Sequence, residues 1–272
     1  MEYKTYTIKV VVLGALLIGA GCFLGLVCGW VEGNYDLLFD PSMATLYLGL
    51  KFLGALAAVA VAAGLVAVLI RPLWICALAF GLSALGMFAV WDFAVISFIM
   101  AVIYVLGGLA YCWGVRGELK GRLQFSVWHI MRSQAILLVV LIAIGCAGLY
   151  AGYSDEVDRD GFAFPTAIID NIVETAAGEI DDGLTPEQKA IAEAELRADV
   201  ENIADLVESR VEASESYVPV GFAAVVFLPL STIALMLSWI PILVLAVIFI
   251  LLASLKLVNR EIETVNITRL SL

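Results

Sequence analysis

The chain has 272 residues, of which 62% are hydrophobic and 15% charged; a soluble globular domain is only about 45–50% apolar, so a water-soluble fold is excluded. The net charge of −11 is uneven: residues 154–217 hold 18 acidic and four basic side chains, and the rest of the chain is slightly basic. All five cysteines (Cys22, Cys28, Cys76, Cys112, Cys146) fall in apolar segments, and neither they nor His129 show metal-ligand spacing, so a disulfide framework is excluded and zinc and haem lack support.

Residues 10–30 follow Lys4 and Lys9 and stay apolar without an A-x-A site, so they read as an uncleaved first membrane helix. Gly19-Ala20-Gly21-Cys22 lacks the bulky aliphatic residue of a lipoprotein cleavage box, which leaves Cys22 as a small core residue. Gly14, Gly21, Gly25 and Gly29 recur at offsets of seven and four and so share one helical stripe. Lipid gives helices no hydrophobic reason to associate, so such a stripe predicts a close-packing seam, either within the chain or between two copies.

The connection 31–43 carries Glu32, Asp36 and Asp40 and no cation, which places it outside and the amino terminus in the cytoplasm. Segments 44–70, 73–90 and 93–113 each approach the roughly 20 residues that a 30 Å hydrocarbon core requires. Arg71-Pro72 then turns on the inside and Trp91-Asp92 on the outside. Lys51 and Asp92 share the outer side, where they make either an ion pair or, on a transport reading, a substrate site. Gly81-Leu-Ser83-Ala-Leu-Gly86 has the wrong glycine spacing for a serine-nucleophile turn and reads as helix packing.

Residues 116–134 hold Arg116, Lys120, Arg122 and Arg132, with Leu119, Leu123, Val127, Ile130 and Met131 between them at helical spacing. The pattern predicts a basic interfacial helix lying on anionic lipid, not a nucleic-acid surface. Residues 135–153 form the fifth crossing.

The acidic stretch 154–217 reads as an extracytoplasmic helical domain. A first helix spans residues 165–177, with Ile168, Ile169, Ile172 and Val173 on one face, and residues 178–183 break it. Thr185-Pro186-Glu187-Gln188 is a helix start, and the second helix extends to about residue 214. Its stripe of Leu196, Val200, Ile203, Val207 and Val211 approaches a coiled-coil seam longer than the first helix covers, which predicts a partner-binding face. Glu201, Asp205, Glu208, Glu212 and Glu215 form a solvated opposite face. Glu156, Asp158 and Asp160 before Gly161 have the alternate spacing of a calcium loop, but its twelfth position falls on Ala167. A polar turn is the leading reading there, calcium the second, and no other cofactor is indicated.

Residues 218–257 are apolar and about twice too long for one crossing; Ser238-Trp239-Ile240-Pro241 supplies the break. Two crossings leave the tail 258–272 outside, one leaves it inside. The expected fold is therefore an all-α polytopic membrane bundle of about seven, alternatively six, transmembrane helices, with one extracytoplasmic helical hairpin between helices five and six. No catalytic motif is found. The expected function is non-enzymatic: the lipid-embedded bundle displays the acidic domain for binding a protein partner or a second copy. The alternatives are a solute or ion transporter, with Lys51, Asp92 and the breaks at Pro229 and Pro241 as its key residues, and an intramembrane enzyme.

Overall fold

The computed structural model describes residues 2–39, 42–70, 72–91, 95–120, 127–163, 165–177, 186–211 and 217–255. Regular structure among the described residues is entirely helical. The α-helices are α1 (Glu2–Gly33), α2 (Met43–Leu69), α3 (Leu73–Val90), α4 (Val95–Lys120), α5 (Met131–Asp160), α6 (Thr166–Ala177), α7 (Pro186–Val211), α8 (Val218–Met236) and α9 (Trp239–Ser254). Two 3-10 turns join them, η1 (Tyr35–Leu38) and η2 (Val127–Ile130). Arg71, Asp92, Arg122, the break at 178–183, Thr185 and the tail 258–272 lie outside the described residues, as do the side chains of Lys120, His129, Asp160 and Val211.

Among the described residues six apolar stretches are long enough to cross a membrane: Thr7–Gly33, Met43–Leu69, Leu73–Val90, Val95–Leu119, Met131–Arg159 and Val218–Ser254. The chain is consistent with an integral multi-pass membrane protein. The last stretch consists of α8 and α9, which are separated by a turn at Leu237 and Ser238. Pro241 stands in the first turn of α9, where a missing N–H costs nothing because no intrahelical acceptor exists for it.

Glycine sets how closely the helices approach and in which direction each runs. A Cβ on Gly21 would meet the Ser83 carbonyl oxygen at 2.7 Å, and one on Gly25 would lie 3.0 Å from Met87 Cα. Gly29 faces the Trp91 ring at 3.9 Å, whereas nothing lies within 4 Å of a Cβ on Gly14. The constant offset makes α1 and α3 parallel. On another side of α1, a Cβ on Gly148 would lie 3.1 Å from the Cys28 carbonyl oxygen, and one on Gly152 would lie 3.0 Å from the Glu32 carbonyl carbon, so α5 is parallel too. Gly107 faces Val140 and Gly114 faces Ser133, which makes α4 antiparallel to α5. Helix α1 also packs on α2, α8 packs on α5, and α9 packs on α2, where Leu245 lies over Gly64.

Two elements extend past their sequence-based limits. Helix α4 continues through residues 114–120, and residues 131–134 form the first turn of α5. Both ends of the expected interfacial helix at 116–134 thus belong to crossing helices, because nothing in either sequence breaks a helix at the hydrocarbon boundary. Helix α5 likewise runs through Asp160 and stops only at Gly161, whose φ of 79° is a conformation suited to glycine.

The seam can be checked with one pair of variants. Gly25→Val is expected to lower the thermal midpoint of the detergent-solubilised chain, reflecting a cost of about 1–3 kcal/mol for forcing backbones apart. Gly14→Val should leave the midpoint near that of the parent; equal effects at both positions would contradict the seam.

Candidate functional site

The parallel run of α1, α3 and α5 sorts charge to two ends of the bundle. Lys9, Arg116 and Arg132 stand at one end; Glu32, Asp36 and the acidic helices stand at the other. At the acidic end, Trp91 closes α3 with its side chain only 1% exposed, and its Nε1 donates to Glu32 Oε2 at 2.5 Å. Tyr35, Phe39, Tyr153 and Phe222 cluster beside it, with Phe39 stacked on Phe222 at 4.9 Å between ring centroids, and so tie η1, α5 and α8 together. The Lys51 ammonium lies over the Trp30 ring at 4.2 Å and the Tyr47 ring at 4.6 Å, an amphipathic arrangement suited to a membrane interface. Its described partners are aromatic, and Asp92, the other half of the expected pair, lies outside the described residues.

Inside the bundle the polar groups follow α4. Ser97, Tyr104, Tyr111 and Glu118 recur every seven residues and therefore share one face. Tyr104 hydroxyl lies 3.0 Å from Ser83 Oγ, which donates to the Leu17 carbonyl at 2.8 Å. Ser83 thus links α3 to α1 and α4, as packing requires, and its bonds among the described residues are to a backbone carbonyl and a tyrosine, not to a histidine or carboxylate. Tyr111 donates to Gln134 Oε1 at 2.6 Å, joining α4 to α5. Gln134 Nε2 and Glu118 Oε2 are buried without a partner among the described residues. Interhelical hydrogen bonds of this kind hold apolar helices in register.

At the basic end Arg116 donates through Nη2 to the Ile70 carbonyl at 3.1 Å, which satisfies backbone at the end of α2, and to Cys76 Sγ at 3.6 Å. Cys76 and Cys112 are both fully buried, and the antiparallel register of α3 and α4, with Ser83 at Tyr104 and Phe80 over Gly108, places them opposite each other. Their distance in sequence and the absence of any local motif left this pair unforeseen. The seven-residue polar spacing of α4 was a visible signal that these helices carry buried polar groups on the same side.

The acidic helices pair through a small cluster in which Ile169, Val173 and Ala204 are buried and Leu196 and Val200 lean against them. Arg197 bridges the pair, bonding Asp170 at 2.6 Å on α6 and Glu201 at 3.2 Å on α7. The face of α7 that meets α6 is therefore Leu196, Val200 and Ala204, at steady four-residue steps. Ile203 is 61% exposed and Val207 half-buried, so the expected five-residue stripe is divided between a packed edge and an open one. Asn171 on α6 donates to the Phe39 carbonyl at 3.4 Å, and a 630 Å³ cleft lies between them, lined by Leu38, Phe39, Ile168 and Ile172 among others.

Glu156 and Asp158 sit on the last turns of α5, not in a loop. Alternate residues on a helix point about 200° apart, so this spacing does not gather carboxylates around one ion. Among the described residues no group of three or more His, Cys, Asp or Glu side chains is arranged to hold a metal. Comparisons with protein-family models, curated proteins and solved structures find no match.

Tyr111→Phe removes the described hydrogen-bond partner of a buried amide that already lacks one at Nε2. It is expected to destabilise the bundle by about 1–3 kcal/mol in detergent melting. Tyr104→Phe should cost less, since Ser83 keeps its bond to Leu17; the reverse order would contradict the network.

Proposed function

We propose that this chain is a non-enzymatic membrane protein whose rigid bundle displays the α6–α7 hairpin outside the cytoplasm for docking to another protein. The observation that carries the reading is apolar exposure in the polar module. Ile191 and Ile203 are about 60% exposed, Leu206 is 56% exposed and Ile172 is 44% exposed. Lipid accounts for such exposure along α1–α5, α8 and α9 but not on a hairpin rich in Asp and Glu. Helix α7 is more than twice as long as α6, 26 residues against 12, so α6 leaves much of it uncovered.

The orientation rests on charge. Lys9, Arg116 and Arg132 at one end suit the cytoplasmic side, which leaves the acidic hairpin outside. A seventh crossing is part of the proposal. Partial or full burial recurs from Pro241 through Ile242, Leu245 and Phe249 to Leu252, which favours α9 running along α2 back towards the outer side. Sixteen residues at about 1.5 Å reach about 24 Å, so α9 needs a few residues beyond Ser254 to complete the core.

Transport ranks second, because most polar side chains inside the bundle, Ser83 and Tyr104 among them, are satisfied packing groups and Lys51 is held on rings at one end. Two measurements test the reading. A membrane-impermeant amine reagent on intact cells should modify Lys189, together with Lys256 if α9 crosses, and spare Lys9 and Lys120; the opposite pattern overturns the orientation. Ile203→Ser with Leu206→Ser should leave stability within about 0.5 kcal/mol, as for surface substitutions, yet abolish recovery of a stoichiometric partner after gentle extraction. A chain recovered alone, or partner recovery unchanged by the substitutions, contradicts docking through α7.

A further inference from the structure

The buried thiols Cys76 and Cys112 come from different helices and meet where a fixed cation reaches them. Cys76 Sγ donates to the Ile70 carbonyl at 3.6 Å and accepts from Arg116 Nη2 at 3.6 Å, and the antiparallel register of α3 and α4 sets Cys112 opposite it. The remaining cysteines lack this setting: no cation or hydrogen bond from a side chain is described at Cys22, Cys28 or Cys146. Arg116 is half-buried and stands at the basic end of α4, so one hydrogen bond separates the sulfur from the bundle surface.

We propose that Cys76 and Cys112 form a peroxide-oxidisable thiol pair, with Cys76 as the attacking sulfur, Cys112 as the resolving sulfur and Arg116 as the counter-charge for the reacting thiolate. Sulfur attacks as an anion, and a guanidinium already bonded to it stabilises that charge without rearrangement. In the first step the Cys76 sulfur attacks one oxygen of hydrogen peroxide and the O–O bond breaks. The departing hydroxide takes the proton released from the thiol and leaves as water, and Cys76 becomes a sulfenic acid. In the second step the Cys112 sulfur attacks Cys76 Sγ, the S–O bond breaks, and a second water carries away the Cys112 proton as the disulfide forms. The two thiols supply the two electrons that reduce the peroxide. Hydrogen peroxide, small and uncharged, is the oxidant suited to thiols buried this deeply in an apolar bundle. The disulfide would staple α3 to α4 at the basic end and remove the thiol that Cys76 now offers to Ile70.

The test uses the full chain in native membranes, reduced, exposed to hydrogen peroxide, quenched with acid, denatured, alkylated and mapped by peptide mass spectrometry. The expected product is a single Cys76–Cys112 cross-link, with Cys22, Cys28 and Cys146 fully alkylated. In Cys112→Ser the product should instead be a sulfenic acid at Cys76, trapped by a cyclic dione. Arg116→Gln should slow cross-linking about tenfold, the effect of losing one charge-assisted hydrogen bond, and Arg116→Lys should recover part of that rate. Alkylation of all five cysteines after peroxide, or cross-links scattered over Cys22, Cys28 and Cys146, overturns the proposal. The parent mapping decides this even if an Arg116 variant fails to fold.

Discussion

The structure depends on the close approach of α1 to the backbones of α3 and α5. In lipid there is no hydrophobic gain from bringing apolar helices together, so stability has to come from dense contact and from the few polar bonds that contact allows. Gly21 and Gly25 supply the contact on the α3 side; Gly148 and Gly152 supply it from α5. Because both neighbours run parallel to α1, the approach also fixes which loop ends share a face. It brings Glu32 to Trp91 and Leu17 to Ser83, and these hydrogen bonds follow from the packing and do not precede it.

Polar groups inside the bundle are few, and most are matched. Ser83 with Tyr104 and Tyr111 with Gln134 act as clamps between helices, which accounts for a rigid scaffold more readily than for a moving one. The basic end is different: Arg116 serves a backbone carbonyl and a thiol at once, and Glu118 and Gln134 keep unsatisfied atoms there. At the opposite end the aromatic cluster around Phe39 and Tyr153 seats α8, and Asn171 tethers the hairpin to η1.

Much of the architecture was legible in the sequence. Apolar runs of near-crossing length located the helices, and the spacing of Gly21, Gly25 and Gly29 located the face of α1 that touches α3. Gly14 fits the same spacing but meets nothing, because periodicity identifies a face and cannot say how far along it a neighbour stays close. Helix ends were read from hydrophobicity, whereas α4 runs on through Lys120 and α5 stops only at Gly161; this moved Glu156 and Asp158 from a turn onto a helix. On α7, Ile203 had the spacing of a seam residue, yet α6 packs on Ala204, since small residues admit a closer helix. The Cys76–Cys112 contact has no sequence signature at all; it follows from the register of α3 against α4, which only the folded bundle fixes.

Hydrogen exchange of the hairpin most directly tests whether the scaffold exists to present α7. Residues 191–207 should be protected in native membranes and lose that protection once the chain is purified in mild detergent, while α1, α3 and α5 stay protected in both. Exchange of α7 at the same rate before and after purification would mean that nothing covers it in the membrane, and would contradict the docking account.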